Sequence, residues 1–151
     1  MLGWIIRRAT GMTLAEALYT LLWSKLGTEF EANYWVDPLG IEMAGGGLSM
    51  SLRDAARFGQ LILDDGYANG AQVLSPAVAA RIRSHRNQPQ FNRYYDDPWY
   101  GEVAAAYHDQ WWSYRGVDAV VALGIHGQFI YVNSEHNVVI VKQSSDPDAE
   151  S

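Results

Sequence analysis

Gly124-Ile125-His126-Gly127 places a histidine among glycines. Small glycines would let backbone amides close on a developing oxyanion, and His126 could donate to a substrate carboxylate or tune a neighbour's proton. The competing reading is a histidine at a strand edge that only satisfies backbone. Asp54 or Glu42 with His126 would be an acid/base pair of ordinary residue types, but no spacing supports it. Trp111-Trp112 and Trp35 could form an apolar wall for a substrate, although aromatic residues more often fill cores. His85, His108 and His136 are too scattered for a metal site, so neither metal nor cofactor is expected. Gly45-Gly46-Gly47 is followed by no Gly-Lys-Ser/Thr, which favours close chain packing over a phosphate cradle.

The chain that must position these residues has 151 positions, 48% of them hydrophobic, enough for one ordinary domain with one core. Its formal net charge of -6 offers no basic footprint, so neither nucleic acid nor an anionic membrane is an expected partner. With no cysteine, disulfides, thiolate metal sites and a cysteine nucleophile are excluded within these residues. No apolar run is long enough to span a bilayer and no signal peptide opens the sequence, so as written the product is expected in the cytoplasm. A longer parent could still carry an export signal.

Leu2, Ile5, Ile6 and Ala9 recur at helical spacing before Gly11, which predicts a helix over 2–10. Its uncapped start suggests a truncated beginning. Thr13 and Glu16 have capping-box spacing, with Leu14, Ala17, Leu18, Leu21 and Leu22 on one face of a second helix running to Gly27. Residues 28–50 read as irregular chain crossing a surface. A third helix is predicted from Ser51 and Asp54 to near Gly66, with Leu52, Ala55, Phe58 and Ile62 inward, and a fourth from Ser75-Pro76, with Val78 and Ile82 inward. Ser84 to Trp99, with a turn at Asp96-Asp97-Pro98, reads as an exposed excursion within a loop over about 85–110. Ala119 to Leu123, Gln128 to Val132 and Val138 to Lys142 predict a three-stranded antiparallel meander, followed by a polar tail over 146–151. The fold class is therefore α+β: a helical part to about residue 84, then sheet strands within about 111–145.

Three ordered stretches resemble the β-lactamase-related serine hydrolases, most closely the branch with 6-aminohexanoate-dimer hydrolases and some carboxylesterases. They are Leu2-Gly3-Trp4-Ile5-Ile6 through Ala9-Thr10-Gly11-Met12-Thr13 with Trp23-Ser24-Lys25-Leu26-Gly27; Asp37-Pro38-Leu39-Gly40 through Gly45-Gly46-Gly47-Leu48 with Leu52-Arg53-Asp54-Ala55-Ala56-Arg57-Phe58-Gly59; and Gly124 through Val132 with Val138 to Lys142. The resemblance implies an α/β sandwich beside a helical region, with the active site in the crevice between them. It also implies an acyl-enzyme mechanism in which a Ser-x-x-Lys serine attacks an amide or ester carbonyl, and a third motif on a strand, for which Gly124 to Gly127 is the local candidate.

The base must sit within hydrogen-bond reach of its serine, so the spacing of Ser-x-x-Lys is a chemical requirement. Lys25 and Lys142 are the only lysines, and Leu22 and Val139 stand three positions before them, so no Ser-x-x-Lys exists here. The resemblance also implies a second motif, Tyr-x-Asn or Tyr-x-Ser; Tyr67-Ala68-Asn69 and Tyr131-Val132-Asn133 match it literally, but the first sits in turn chemistry and the second ends a strand. The expectation is a C-terminal portion of such a hydrolase, without catalytic residues of its own. Gly124, His126, Gly127 and Trp112 are its crevice, substrate or oxyanion candidates, and the parent's substrate would be a small amide or ester. Exposed sheet edge could drive self-association. A non-catalytic binding domain on the same fold is the alternative.

Overall fold

In a computed structural model describing residues 1–86, 88–95 and 104–148, helices come first and a sheet follows. Helix α1 (Leu2–Thr10) ends at Gly11, whose φ of 70° is the left-handed conformation a helix stop requires. Its apolar residues do not build a core: Gly3 alone is buried, pressed against Ala44 and Leu14, while Leu2, Trp4, Ile5 and Ile6 are exposed. Helix α2 (Leu14–Leu21) has the full capping box, with Thr13 Oγ1 accepting from the Glu16 amide and Glu16 accepting from Thr13. It stops short of Gly27, giving way to a tighter turn at Trp23–Lys25, and Leu21 is left exposed.

Residues 28–50 are irregular apart from a pair of two-residue strands, β1 (Asn33–Tyr34) and β2 (Leu48–Ser49), and a bridge between Val36 and Glu42. Of the triple glycine only Gly47 is closely packed, a side chain there meeting Met43 at 2.7 Å; Gly45 and Gly46 face open space.

Helix α3 (Leu52–Leu63) joins the two halves of the core. Leu61 packs with Trp23 and Leu26 under the helical part, and Ile62 and Leu63 pack with Ile82, Trp111, Val120 and Val132 on the sheet. Phe58 touches both groups. Leu52, expected inward, is exposed, whereas Asp54 is fully buried. Strands β3 (Tyr67–Ala68) and β4 (Ala71–Gln72) flank Asn69-Gly70, both with positive φ, so this Tyr-x-Asn is a hairpin turn. Helix α4 (Pro76–Arg83) is capped by Ser75, with Ala79 and Ile82 buried.

The segment expected to be an exposed loop is partly ordered. Helix α5 (Gln88–Tyr94) buries Phe91, and β5 (Ala104–His108) pairs with β6 (Trp111–Tyr114). The turn expected at Asp96-Asp97-Pro98 lies outside the described residues, as does the end of the tail. With β7 (Ala119–Gly124), β8 (Gln128–Asn133) and β9 (Val138–Lys142), the sheet is a five-stranded antiparallel meander in sequence order, not three-stranded. Alanine-rich β5 carries little strand propensity, and Asp109-Gln110 makes the tight turn without the usual Asn-Gly signature. Both features hid this hairpin. The second Tyr-x-Asn is structural too: Asn133 donates to the Tyr131 hydroxyl and accepts from the His136 amide. No described helix is long and apolar enough to cross a membrane.

Candidate functional site

Gly124 closes β7 opposite Gln128, and Ile125–Gly127 form one tight turn before β8. His126 and Gly127 both hold positive φ, 62° and 73°; the first is uncommon for a residue with a side chain. That conformation is fastened from outside. The His126 Nδ1 lies 2.9 Å from the Asp146 carbonyl oxygen, and the Asp146 amide donates back to the His126 carbonyl at 3.4 Å. Around the turn Leu123 and Ile125 are exposed, and a Cβ on Gly124 would meet nothing closer than Gln128 at 3.5 Å. The turn is an accessible rim with glycine at either end and Ile125 exposed between them, held by the stretch leaving β9.

The same stretch reaches the helical part. Gln143 Nε2 donates to the Met50 carbonyl at 2.8 Å, just before α3. Residues 143 and 146 are at most about 11 Å apart in Cα. One short segment therefore holds the start of α3 and the 124–127 turn at the same end of the sheet. These two ties were not legible in the sequence, because side chain to backbone bonds across 93 and 20 positions leave no local pattern.

Trp112 is elsewhere on the sheet. It pairs with Val121, three residues and roughly 10 Å before Gly124, and its ring packs with Phe91, Tyr95 and Tyr107 at centroid distances of 5.9, 5.6 and 4.7 Å. The structure thus gathers Gly124, His126 and Gly127 in one turn and leaves Trp112 in an aromatic cluster with Phe91, Tyr95 and Tyr107. Trp111 is core and Trp35 is exposed, so the three tryptophans do not form one wall.

Neither proposed acid/base partner meets His126 among the described residues. Asp54 accepts from the Glu29 and Phe30 amides (2.9 and 3.2 Å), the Ser51 hydroxyl (2.7 Å) and the Arg57 guanidinium (3.0 Å). Burial pushes its carboxyl up, but the Glu29 amide, Ser51, the Phe30 amide and Arg57 together outweigh it and hold the group below the usual carboxylate range. Glu42 binds Arg7 at 3.2 Å and the Ala15 amide at 3.3 Å. Burial raises that carboxyl too, and backbone amides with Arg7 bring it below its ordinary value. Both are loop anchors: Asp54 pins residues 29–30 to α3, and Glu42 pins residue 42 across α1 and α2. Among the described residues no group of three or more His, Asp or Glu side chains could hold a metal ion.

Known proteins resemble this arrangement along its whole length. A family model described as beta-lactamase matches residues 1–150. A 6-aminohexanoate-dimer hydrolase of Paenarthrobacter ureafaciens is 36% identical over 159 aligned positions, which take in 100% of this chain and 38% of that protein. The solved structure of a candidate 6-aminohexanoate-dimer hydrolase from Bacillus anthracis superposes with a TM-score of 0.79 at 38% identity, over 96% of this chain and 36% of that one. A candidate β-lactamase from Bacteroides dorei DSM 17855 shares the fold at a TM-score of 0.64 and 18% identity, over 94% of this chain and 47% of that chain. The chain spans less than half the length of each of these relatives. On the family match and the identity to a curated relative, it belongs to the β-lactamase family and is similar to its 6-aminohexanoate-dimer hydrolases.

Proposed function

We propose that this chain forms one wall of the active-site crevice of a serine hydrolase that cleaves amide or ester bonds through an acyl-enzyme, and that it supplies no nucleophile. The observation that carries the reading is the 124–127 turn, an accessible, glycine-flanked rim locked at the end of the sheet by His126 and Asp146. Backbone amides of such a turn can receive the carbonyl oxygen as negative charge develops on it, and they need little reorganisation because the turn is already fixed. The His126 ring, held through Nδ1, presents its other nitrogen as a hydrogen-bond partner for substrate. The similarity to a 6-aminohexanoate-dimer hydrolase supports a small amide substrate, and the absence of Ser-x-x-Lys from these residues supports a nucleophile outside them.

The test has two arms. The chain alone is expected to hydrolyse neither a p-nitrophenyl ester nor nitrocefin above a heat-denatured control. Co-expressed with the part of the Paenarthrobacter relative that it does not match, it is expected to restore hydrolysis of the 6-aminohexanoate dimer. Turnover by the chain alone, or a folded but silent pair, would overturn the assignment.

We also propose that the chain self-associates through β9, an edge strand of the sheet. Val138 and Ile140 on β9 and Leu123 on β7 are exposed along one face, so pairing two edges would join backbone groups and cover apolar surface together. Sedimentation at tens of micromolar is expected to give species above the monomer mass, and Ile140→Lys to shift them toward monomer. A monodisperse, cooperatively melting wild-type monomer would refute the association.

A further inference from the structure

A second concavity shares no residue with the turn at 124–127. It is a groove of about 420 Å³ between α2, the turn at Trp23 and residues 28–34, a volume within the range of small-molecule sites. Tyr19, Trp23, Phe30 and Tyr34 line it, together with the carboxylates of Glu29 and Glu31. Aromatic rings in a core usually pair with one another, but among the described residues none of these four packs ring to ring with another ring. Tyr19 and Phe30 are 64% and 62% exposed, which is costly for side chains of that size unless something is bound against them. The wall is nonetheless fixed, because Trp23 Nε1 donates to the Phe30 carbonyl at 3.0 Å.

The charge of the groove has one sign. No lysine, arginine or histidine lines it. Glu29 is spent on Arg57 and Arg53, whereas Glu31 makes no ion pair among the described residues. Aromatic faces carry the negative part of the ring quadrupole, so rings and free carboxylate attract the same kind of ligand.

We propose that this groove binds an organic ammonium ion with a compact apolar body. A bare metal ion would leave the aromatic surface uncovered. An anion would meet Glu31, and a neutral apolar molecule would forgo both the carboxylate and the cation–π attraction.

The test is titration of the chain with benzyltrimethylammonium, benzyl alcohol and benzenesulfonate, followed by the NMR resonances of the Trp23 indole N–H and the amides of residues 28–34. Saturable shifts are expected for the ammonium, weakening with added salt, with the alcohol about tenfold weaker and the sulfonate silent. Glu31→Gln and Phe30→Leu should each weaken the ammonium by about threefold to fivefold without lowering the melting temperature, since both side chains are exposed. Equal affinity for the alcohol, shifts that never saturate, or binding unchanged in both variants would overturn the proposal. It stands independently of hydrolysis, so a silent hydrolase assay would leave this outcome unaffected.

Discussion

Replacing Asp54 with Asn is expected to lower the stability of the chain by about 3 kcal/mol, in the range found when one partner of a buried charged network is removed. The carboxylate accepts from two amides, a hydroxyl and a guanidinium while fully shielded from water. Asn is isosteric, so no cavity opens. Its amide group, however, turns one acceptor into a donor facing donors that have nowhere else to go, and the charge that Arg57 balances disappears. Urea unfolding would measure the loss; a midpoint within experimental error of wild type would refute the anchoring role.

The same residue sets a pH dependence. Its folded-state carboxyl lies below its ordinary value, so the unfolded chain takes up a proton first. The contribution of Asp54 to stability is present in full above the ordinary carboxylate value of 3.8 and is lost as the pH falls through the folded one. Wild type should therefore lose stability on acidification across that window, and Asp54→Asn should lose less. Parallel pH profiles for the two proteins would contradict the linkage. Because Asp54 holds residues 29–30, hydrogen exchange of the Glu29 and Phe30 amides should accelerate first.

How much of this was legible in the residues depends on the range of the interactions. Helix ends written in adjacent residues were readable: Gly11, the Thr13/Glu16 box, Ser51 and Ser75-Pro76 all act within one turn of their position. Strand β9 begins with its β-branched run and ends one residue after it, at Lys142. Inward faces were less legible, since Leu2, Leu21 and Leu52 have the right period and yet stay exposed. Periodicity defines a face but not what covers it. Asp54 could be read as a cap and was also a core residue, because burial of its carboxylate depends on amides 24 and 25 positions away. At the candidate site, residue types suggested the 124–127 turn. The locks that position it, Asp146 on His126 and Gln143 on Met50, depend on tertiary approach alone.

That approach depends on Gly59, a position at which α3 lies close against the sheet. A Cβ there would fall 2.6 Å from Val139 Cγ1 and 3.0 Å from Ile130 Cγ2. Both neighbours are β-branched, so their methyl groups cannot swing aside freely. Ala would be favoured over Gly by about 1 kcal/mol in a helix interior, yet it must push α3 off β8 and β9, and overpacking of this kind costs about 1–3 kcal/mol. Gly59→Ala is therefore expected to be mildly destabilising, and Gly59→Leu to cost about 4 kcal/mol or more, since several further atoms must enter the same closed contact. Adding Val139→Ala to Gly59→Ala should recover stability relative to the sum of the two single changes, which a double-mutant cycle would detect as favourable coupling. The displacement also reaches the site, because lifting α3 strains the Gln143 bond to Met50 and with it the segment that holds His126. Exchange of the Asp146 amide should quicken in Gly59→Ala before global unfolding begins. Additive changes in the cycle with unaltered exchange at Asp146 would mean that the helix and the turn are held independently.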